Sequence, residues 1–226
     1  MKKKPLKNFS FYAIIDYKTL KGRNILKTAN RLILGGADII QLRFKNTALS
    51  KVIQDALRIS RLAKKHNTIF IINNRLDIAL LSRADGVHLG QEDVPVRLAR
   101  RMLGKDKIIG VSCHSLSQLL KAQNEKADYL SVGPIFSTPT KPQYKPVGLG
   151  LLKKAKKKIK IPYLAIGGIN LSNLEEVLNA GAKGVAVVRA ACCAGDIPGT
   201  IKKFKRIMPN PPTADGLSSL KTISLA

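Results

Sequence analysis

Gly86-Val87-His88-Leu89-Gly90-Gln91-Glu92-Asp93 is a short apolar run that stops at a glycine and passes directly into polar and acidic groups. Read as a buried parallel strand running out into a loop, it delivers carboxylates to the rim of a sheet, where α/β folds carry their chemistry. The setting makes that acidity stand out, because 40 Lys and Arg face only 14 acids in 226 residues, a formal charge of +26. The loop is therefore a candidate metal or ligand site. The alternative is that Glu92 and Asp93 merely cap the next helix.

The same unit, strand then helix, extends in both directions. Short β-rich runs fall at 11–16, 39–43, 69–73, 86–89, 108–112, 129–133, 163–167 and 185–188. Amphipathic stretches lie between them at about 24–35, 47–66, 76–82, 95–103, 115–126, 148–158, 172–180 and 196–207, some opened by capping residues such as Ser115 and Ser172. Strict alternation calls for a parallel sheet with right-handed crossovers, and eight units predict closure into a single-domain α/β (β/α)8 TIM barrel. An open doubly wound sheet is the runner-up, but no Gly-x-Gly-x-x-Gly turn follows the first strand. The expected organisation is a basic segment at 1–10, the barrel at 11–208 and a flexible tail at 209–226, where turn formers replace any sustained period.

Composition excludes several classes. An apolar content of 45% supports one good core. Cys113, Cys192 and Cys193 form neither a disulfide framework nor a zinc pattern, which fits a reducing, cytoplasmic setting. The basic start lacks a cleavage site, so no signal peptide is expected, and no run approaches the roughly 20 apolar residues of a membrane span. The basic balance would attract polyanions, yet aromatics are 5% and scattered and no nucleic-acid motif is present. Lys153-Lys154-Ala155-Lys156-Lys157-Lys158 reads as a solvated lysine face, and a small phosphorylated substrate would benefit from the same field.

Strand ends carry the candidate chemistry. Alternation along Ile39-Ile40-Gln41-Leu42-Arg43-Phe44-Lys45 puts Gln41, Arg43 and Lys45 on the face toward the barrel mouth and Ile40, Leu42 and Phe44 on the helix side. Two cations there are costly unless an anion meets them, the alternative being an ion pair with inward carboxylates. Asn73-Asn74-Arg75, Asp93 and Ser112-Cys113-His114 fall at the same rim. The loop with Ser137, Thr138, Thr140 and Lys141 is long for a βα turn and can fold over a phosphate. Gly167-Gly168, and the end of the eighth strand at Val188-Arg189, occupy the usual phosphate position of this fold.

Taken together these motifs resemble the thiamine-phosphate synthase family, within a group that includes thiazole tautomerase-like proteins. The resemblance runs from about residue 11 to 205, and its carriers are Gln41-Leu42-Arg43-Phe44-Lys45, Asn73-Asn74-Arg75-Leu76-Asp77, His88 to Asp93, Gly110-Val111-Ser112-Cys113-His114, Gly133-Pro134-Ile135-Phe136 with Thr138, Thr140 and Lys141, Ile166-Gly167-Gly168-Ile169, and Gly184-Val185-Ala186-Val187-Val188. The resemblance implies joining of hydroxymethylpyrimidine diphosphate to a thiazole phosphate, with release of pyrophosphate. It implies that Arg43, Lys45, Asn73, Ser112 and Lys141 hold the diphosphate, Gln41 touches the pyrimidine, and His88 lines the pocket floor. Thr138, Thr140, Gly168, Val188 and Arg189 would hold the thiazole phosphate, and Asp93 would bind Mg2+, with Asn74 at the second metal position.

Three positions depart from the family pattern. Asn74 stands where an aspartate is usual, Phe44 where a glutamate is usual, and Arg189 where a serine is usual. An amide oxygen can coordinate Mg2+ but brings no charge, and one charge pair at about 4 Å is on the order of 4 kcal/mol before solvation at an effective dielectric near 20. Two other readings stay open: a thiazole tautomerase-like isomerase, and a catalytically weakened barrel that only binds phosphate. Small-molecule phosphorylated partners and a possible homo-oligomer, dimer or trimer, complete the expectations.

Overall fold

The structure is a computed structural model that describes Lys4, Leu6 and residues 9–208; the other residues of the basic segment, and the 209–226 tail, lie outside the described residues. The first half contains β1 (Phe11–Asp16), α1 (Tyr17–Leu20), α2 (Ile25–Leu34), β2 (Ile39–Arg43), α3 (Leu49–Lys65), β3 (Ile69–Asn73), α4 (Leu76–Leu81), β4 (Gly86–Leu89) and α5 (Val96–Leu103). The second contains β5 (Ile108–Cys113), α6 (Leu116–Asn124), β6 (Tyr129–Val132), α7 (Gly148–Lys158), β7 (Tyr163–Ile166), α8 (Leu174–Asn179), β8 (Val185–Val187), α9 (Arg189–Cys192) and α10 (Ile197–Ile207). The strands pair in parallel in chain order, and β8 returns to β1 through Phe11↔Val185, closing the barrel.

Period-two alternation divides the core. Ile40 and Leu42 point outward into the layer formed with Val52, Ala56 and Ile59 of α3. Tyr12, Ile39, Ile71, Tyr129 and Leu164 point inward and fill the barrel. The helices obey their own period: α5 buries Val96, Ala99 and Leu103 and turns Arg97 and Arg101 outward. In α7, Leu151, Leu152 and Ala155 are buried while the lysines at 153, 154 and 156–158 are exposed, the solvated face expected. No described helix is long and apolar enough to cross a membrane.

Local differences have local causes. The four-residue helices α1 and α9 are too short to show a period, so they escape a reading of the sequence. Ser115 caps α6 through Gln118 N, but Ser172 does not cap α8: its N–H and hydroxyl both turn to Asn170 Oδ1, and Asn173 takes the cap position. The strand at 163–167 stops at Ile166, because Gly167 takes a left-handed φ of 102°.

At the end of the barrel where strands begin, a short pattern recurs. Ala37-Asp38, Ala84-Asp85 and Ala127-Asp128 precede β2, β4 and β6. The carboxylates of Asp38, Asp85 and Asp128 accept the N–H groups of Phe11, Phe70 and Ile109, each at 2.8 Å. Each also meets a cation: Lys205 at 2.7 Å, Lys4 at 3.1 Å and Arg100 at 2.7 Å.

Candidate active site

A cavity of about 420 Å³ opens at the opposite end, where the strands finish. Each strand hands over its last inward side chains, so the walls come from most of the ring: Gln41 and Arg43 of β2, Asn73 of β3, His88 of β4 and Ser112 of β5. Thr138, Thr140 and Lys141 enter from the loop after β6, Gly168 from the turn after β7, and Val188 and Arg189 from the junction where β8 passes into α9. These residues share one continuous space rather than two separate pockets.

The remaining predicted residues sit beside that space. Lys45 is exposed and not part of the wall, because β2 ends at Arg43 and the alternation that would have turned Lys45 inward ends with it. Asn74 holds φ 64°, a left-handed conformation that Asn and Asp tolerate better than most residues, and its N–H donates to His88 O at 2.9 Å. That bond ties the start of the loop after β3 to strand β4. Asp93 is half-buried and folds back so that Oδ2 accepts Gly90 N–H at 2.6 Å.

Arg43 is not an unmet cation. Its Nη1 lies 2.5 Å from Oδ2 of Asp16, which is 2% exposed and opposite it in the β1–β2 register. The ion-pair alternative therefore holds for Arg43, and Asp16, unmarked in the sequence, orients it. Lys141 is different. Burial lowers its pKa, Arg43 and Lys45 lower it further, and Asp93 opposes them. Burial and three charges therefore act on one ammonium, which would gain most from an anion entering the cavity.

Further contacts among these groups were not visible in the sequence. The Lys141 ammonium lies over the Tyr144 ring at 5.3 Å, and that ring stacks on His114 at 4.7 Å. His114 in turn donates through Nδ1 to Gly133 O, fixing the stack to the barrel. On the floor, His88 Nδ1 is 2.9 Å from Tyr129 Oη, and Nε2 is 2.9 Å from Ser112 Oγ and 3.3 Å from Ser131 Oγ. Burial, with Lys141 nearby, pushes the His88 pKa down to about 3, so the ring is neutral at physiological pH.

Two close approaches shape the walls. The loop after β6 runs along the end of β7, with Phe136 N bonded to Gly167 O, and a Cβ on Gly168 would meet Phe136 and Ser137 at 2.7 Å. Glycine is the residue that fits at φ 68° with this packing, and it keeps backbone exposed to the cavity. Inside the barrel, a Cβ on Gly110 would lie 2.1 Å from the Tyr129 ring, so glycine at 110 makes room for that tyrosine.

A closed parallel barrel whose mouth collects lysine, arginine, hydroxyls and a glycine turn defines a barrel enzyme for small anionic molecules. Residues 11–191 match the sequence profile of the thiamine monophosphate synthase family, and the chain belongs to that family. It is 41% identical over 202 residues to the thiamine-phosphate synthase of Chloroflexus aurantiacus, covering 89% of this chain and 93% of the relative. It is 45% identical over 171 residues to that of Prochlorococcus marinus, where the match covers 76% of this chain and spans 48% of the relative's length. The solved thiamine phosphate pyrophosphorylase of Pyrococcus furiosus superposes with a TM-score of 0.82 at 34% identity, covering 90% of this chain and 97% of that one.

Proposed function

We propose that this chain joins hydroxymethylpyrimidine diphosphate to a thiazole phosphate, forming thiamine phosphate and releasing pyrophosphate. The observation that carries the reading is the single cavity in which Gln41, Arg43, Ser112 and Lys141 share one space with Gly168, Val188 and Arg189. Two phosphorylated partners can meet there without crossing a wall. The synthase and pyrophosphorylase relatives favour this reading over the isomerase.

Departure of the diphosphate leaves a pyrimidine-stabilised cation, so the main task is to receive negative charge. Lys141, desolvated and surrounded by positive neighbours, gains most when that charge develops. Arg43, held by Asp16, meets it with little reorganisation. Lys45 sits just outside and adds to the field, while Asn73 and Ser112 offer hydrogen bonds. Gln41 takes the pyrimidine above His88, and Thr138, Thr140, Gly168 and the Val188–Arg189 backbone take the thiazole phosphate. Holding the thiazole nitrogen in line supplies the rest, and no general base is needed.

Mg2+ fits as a cofactor on restricted terms. No cluster of three or more His, Cys, Asp or Glu able to cage a metal occurs among the described residues. Asp93, with the Asn74 amide, suits an ion that completes its oxygen shell from substrate phosphates. When bound, Mg2+ would neutralise leaving-group charge. The free thiols, Cys113 and Cys192 buried among them, suit a reducing compartment such as the cytoplasm.

Purified protein incubated with both substrates and Mg2+ is expected to release thiamine phosphate and pyrophosphate in equal amounts. Absence of product across a wide Mg2+ range would overturn the reading.

A further inference from the structure

A continuous line of hydrogen bonds crosses the barrel beneath the cavity. Gln41 Nε2 donates to Tyr12 Oη at 2.6 Å; Tyr12 Oη meets Tyr129 Oη at 2.9 Å; Tyr129 Oη meets His88 Nδ1 at 2.9 Å; and His88 Nε2 meets Ser112 Oγ at 2.9 Å. Each link has a direction once the first is set. With the Gln41 amide donating, Tyr12 must pass its own proton to Tyr129, and Tyr129 must pass its proton to Nδ1. The neutral ring then carries its hydrogen on Nε2, which points at Ser112 Oγ. Ser131, 1% exposed, also donates to Ser112 Oγ, at 3.5 Å. With its oxygen accepting from both, Ser112 has its proton left for the cavity.

We propose that Tyr12 and Tyr129 are positioning residues that fix the tautomer of His88 and thereby make Ser112 a hydrogen-bond donor toward the diphosphate. The inference rests on the synthase reading above and adds a link between its two ends. The Gln41 carbonyl oxygen, not used by Tyr12, is left to accept from an amino group on the bound ring. A ring that donates there holds the amide in the orientation that aims the Ser112 proton at the leaving oxygens. A ring offering an acceptor instead would turn the amide over, reverse every bond in the line, and leave Ser112 donating to His88 with only lone pairs facing the anion.

Burial supports the line as an ordered element. Tyr12, Tyr129 and Gln41 are at most 2% exposed, and no buried side-chain nitrogen or oxygen among the described residues lacks a partner. Desolvation raises the pKa of both tyrosines, so each stays a neutral hydroxyl able to donate and accept at once.

The decisive measurement is the nitrogen-15 spectrum of the histidine rings in the unaltered protein, with His88 assigned as the resonance pair lost in His88→Gln. The proposal requires a protonated Nε2 and an unprotonated Nδ1. The reverse pattern overturns it. Because this needs no turnover, it separates failure of the line from failure of the synthase reading, which the product assay decides. A kinetic cycle adds a second criterion. Ser112→Ala is expected to lower kcat by about 100-fold, the scale for losing one donor to a developing anion, and Tyr129→Phe by about ten-fold. In the Ser112→Ala background Tyr129→Phe should cost nothing further. An equal loss in both backgrounds would mark Tyr129 as packing alone and overturn the proposal.

Discussion

The two ends of the barrel use charge in opposite ways. Where strands begin, Asp38, Asp85 and Asp128 each accept a strand N–H and also meet a cation, so their charge goes into joining neighbouring elements. Where strands finish, one arginine is paired by Asp16, while Lys141 lies among positive neighbours with only Asp93 in opposition. Charge at the first end is spent on closure of the ring. Charge at the second end is kept under tension until an anion arrives. Within one fold, the same residue types therefore serve stability or chemistry according to whether their partners are already present.

The contrast can be broken most forcefully at Lys141. Lys141→Met should lower kcat/KM by at least about 100-fold while leaving the melting temperature unchanged or higher, since a poorly compensated cation is removed. Steady-state kinetics beside a thermal melt decides, and a large loss of stability would contradict the account. Asp85→Ala is the mirror experiment. It strands the buried N–H of Phe70 and takes the carboxylate from Lys4, which keeps its bond to Thr68 O, so urea unfolding should show a loss of about 2 kcal/mol, with kcat/KM per folded molecule unchanged.

A smaller effect is expected at the metal-side loop. Asn74→Asp keeps the left-handed backbone, which aspartate also tolerates, and adds a second carboxylate to the proposed Mg2+ set. The Mg2+ concentration for half-maximal rate should fall by about ten-fold, and no change would show that position 74 has no part in holding metal. Smallest of all is a shift in pH dependence. Burial and the positive neighbours make Lys141 lose its proton at lower pH than a free lysine, so diphosphate binding should weaken early on the alkaline side. Lys45→Gln removes one of those neighbours and so favours the ammonium. The alkaline limb should therefore move to higher pH, and movement to lower pH would refute the electrostatic coupling.

Much of the architecture was legible because parallel strands buried on both faces leave dense apolar runs, and amphipathic helices between them carry an unmistakable period. The strands at 11–16, 39–43, 69–73 and 86–89 coincide with those observed. What escaped depends on register and closure. Asp16 meets Arg43 only because β1 and β2 align them, and Tyr12 reaches Tyr129 across 117 positions only because the sheet closes into a ring. The Ala-Asp repeat was present in the letters, but its meaning lies in the N–H groups of neighbouring strands, which no linear pattern displays. Lys45 shows the reverse error, where alternation was carried two residues past the end of the strand that justified it.

Gly110 has a consequence beyond its own strand. Because the tyrosine ring at 129 occupies the place a methyl group at 110 would need, neither position can drift alone. Enlarging 110 first evicts the ring, and shrinking 129 first leaves a hole in the middle of the barrel. Descendants of this chain can leave the pairing only by changing both sites together, so the two should vary as a unit or not at all.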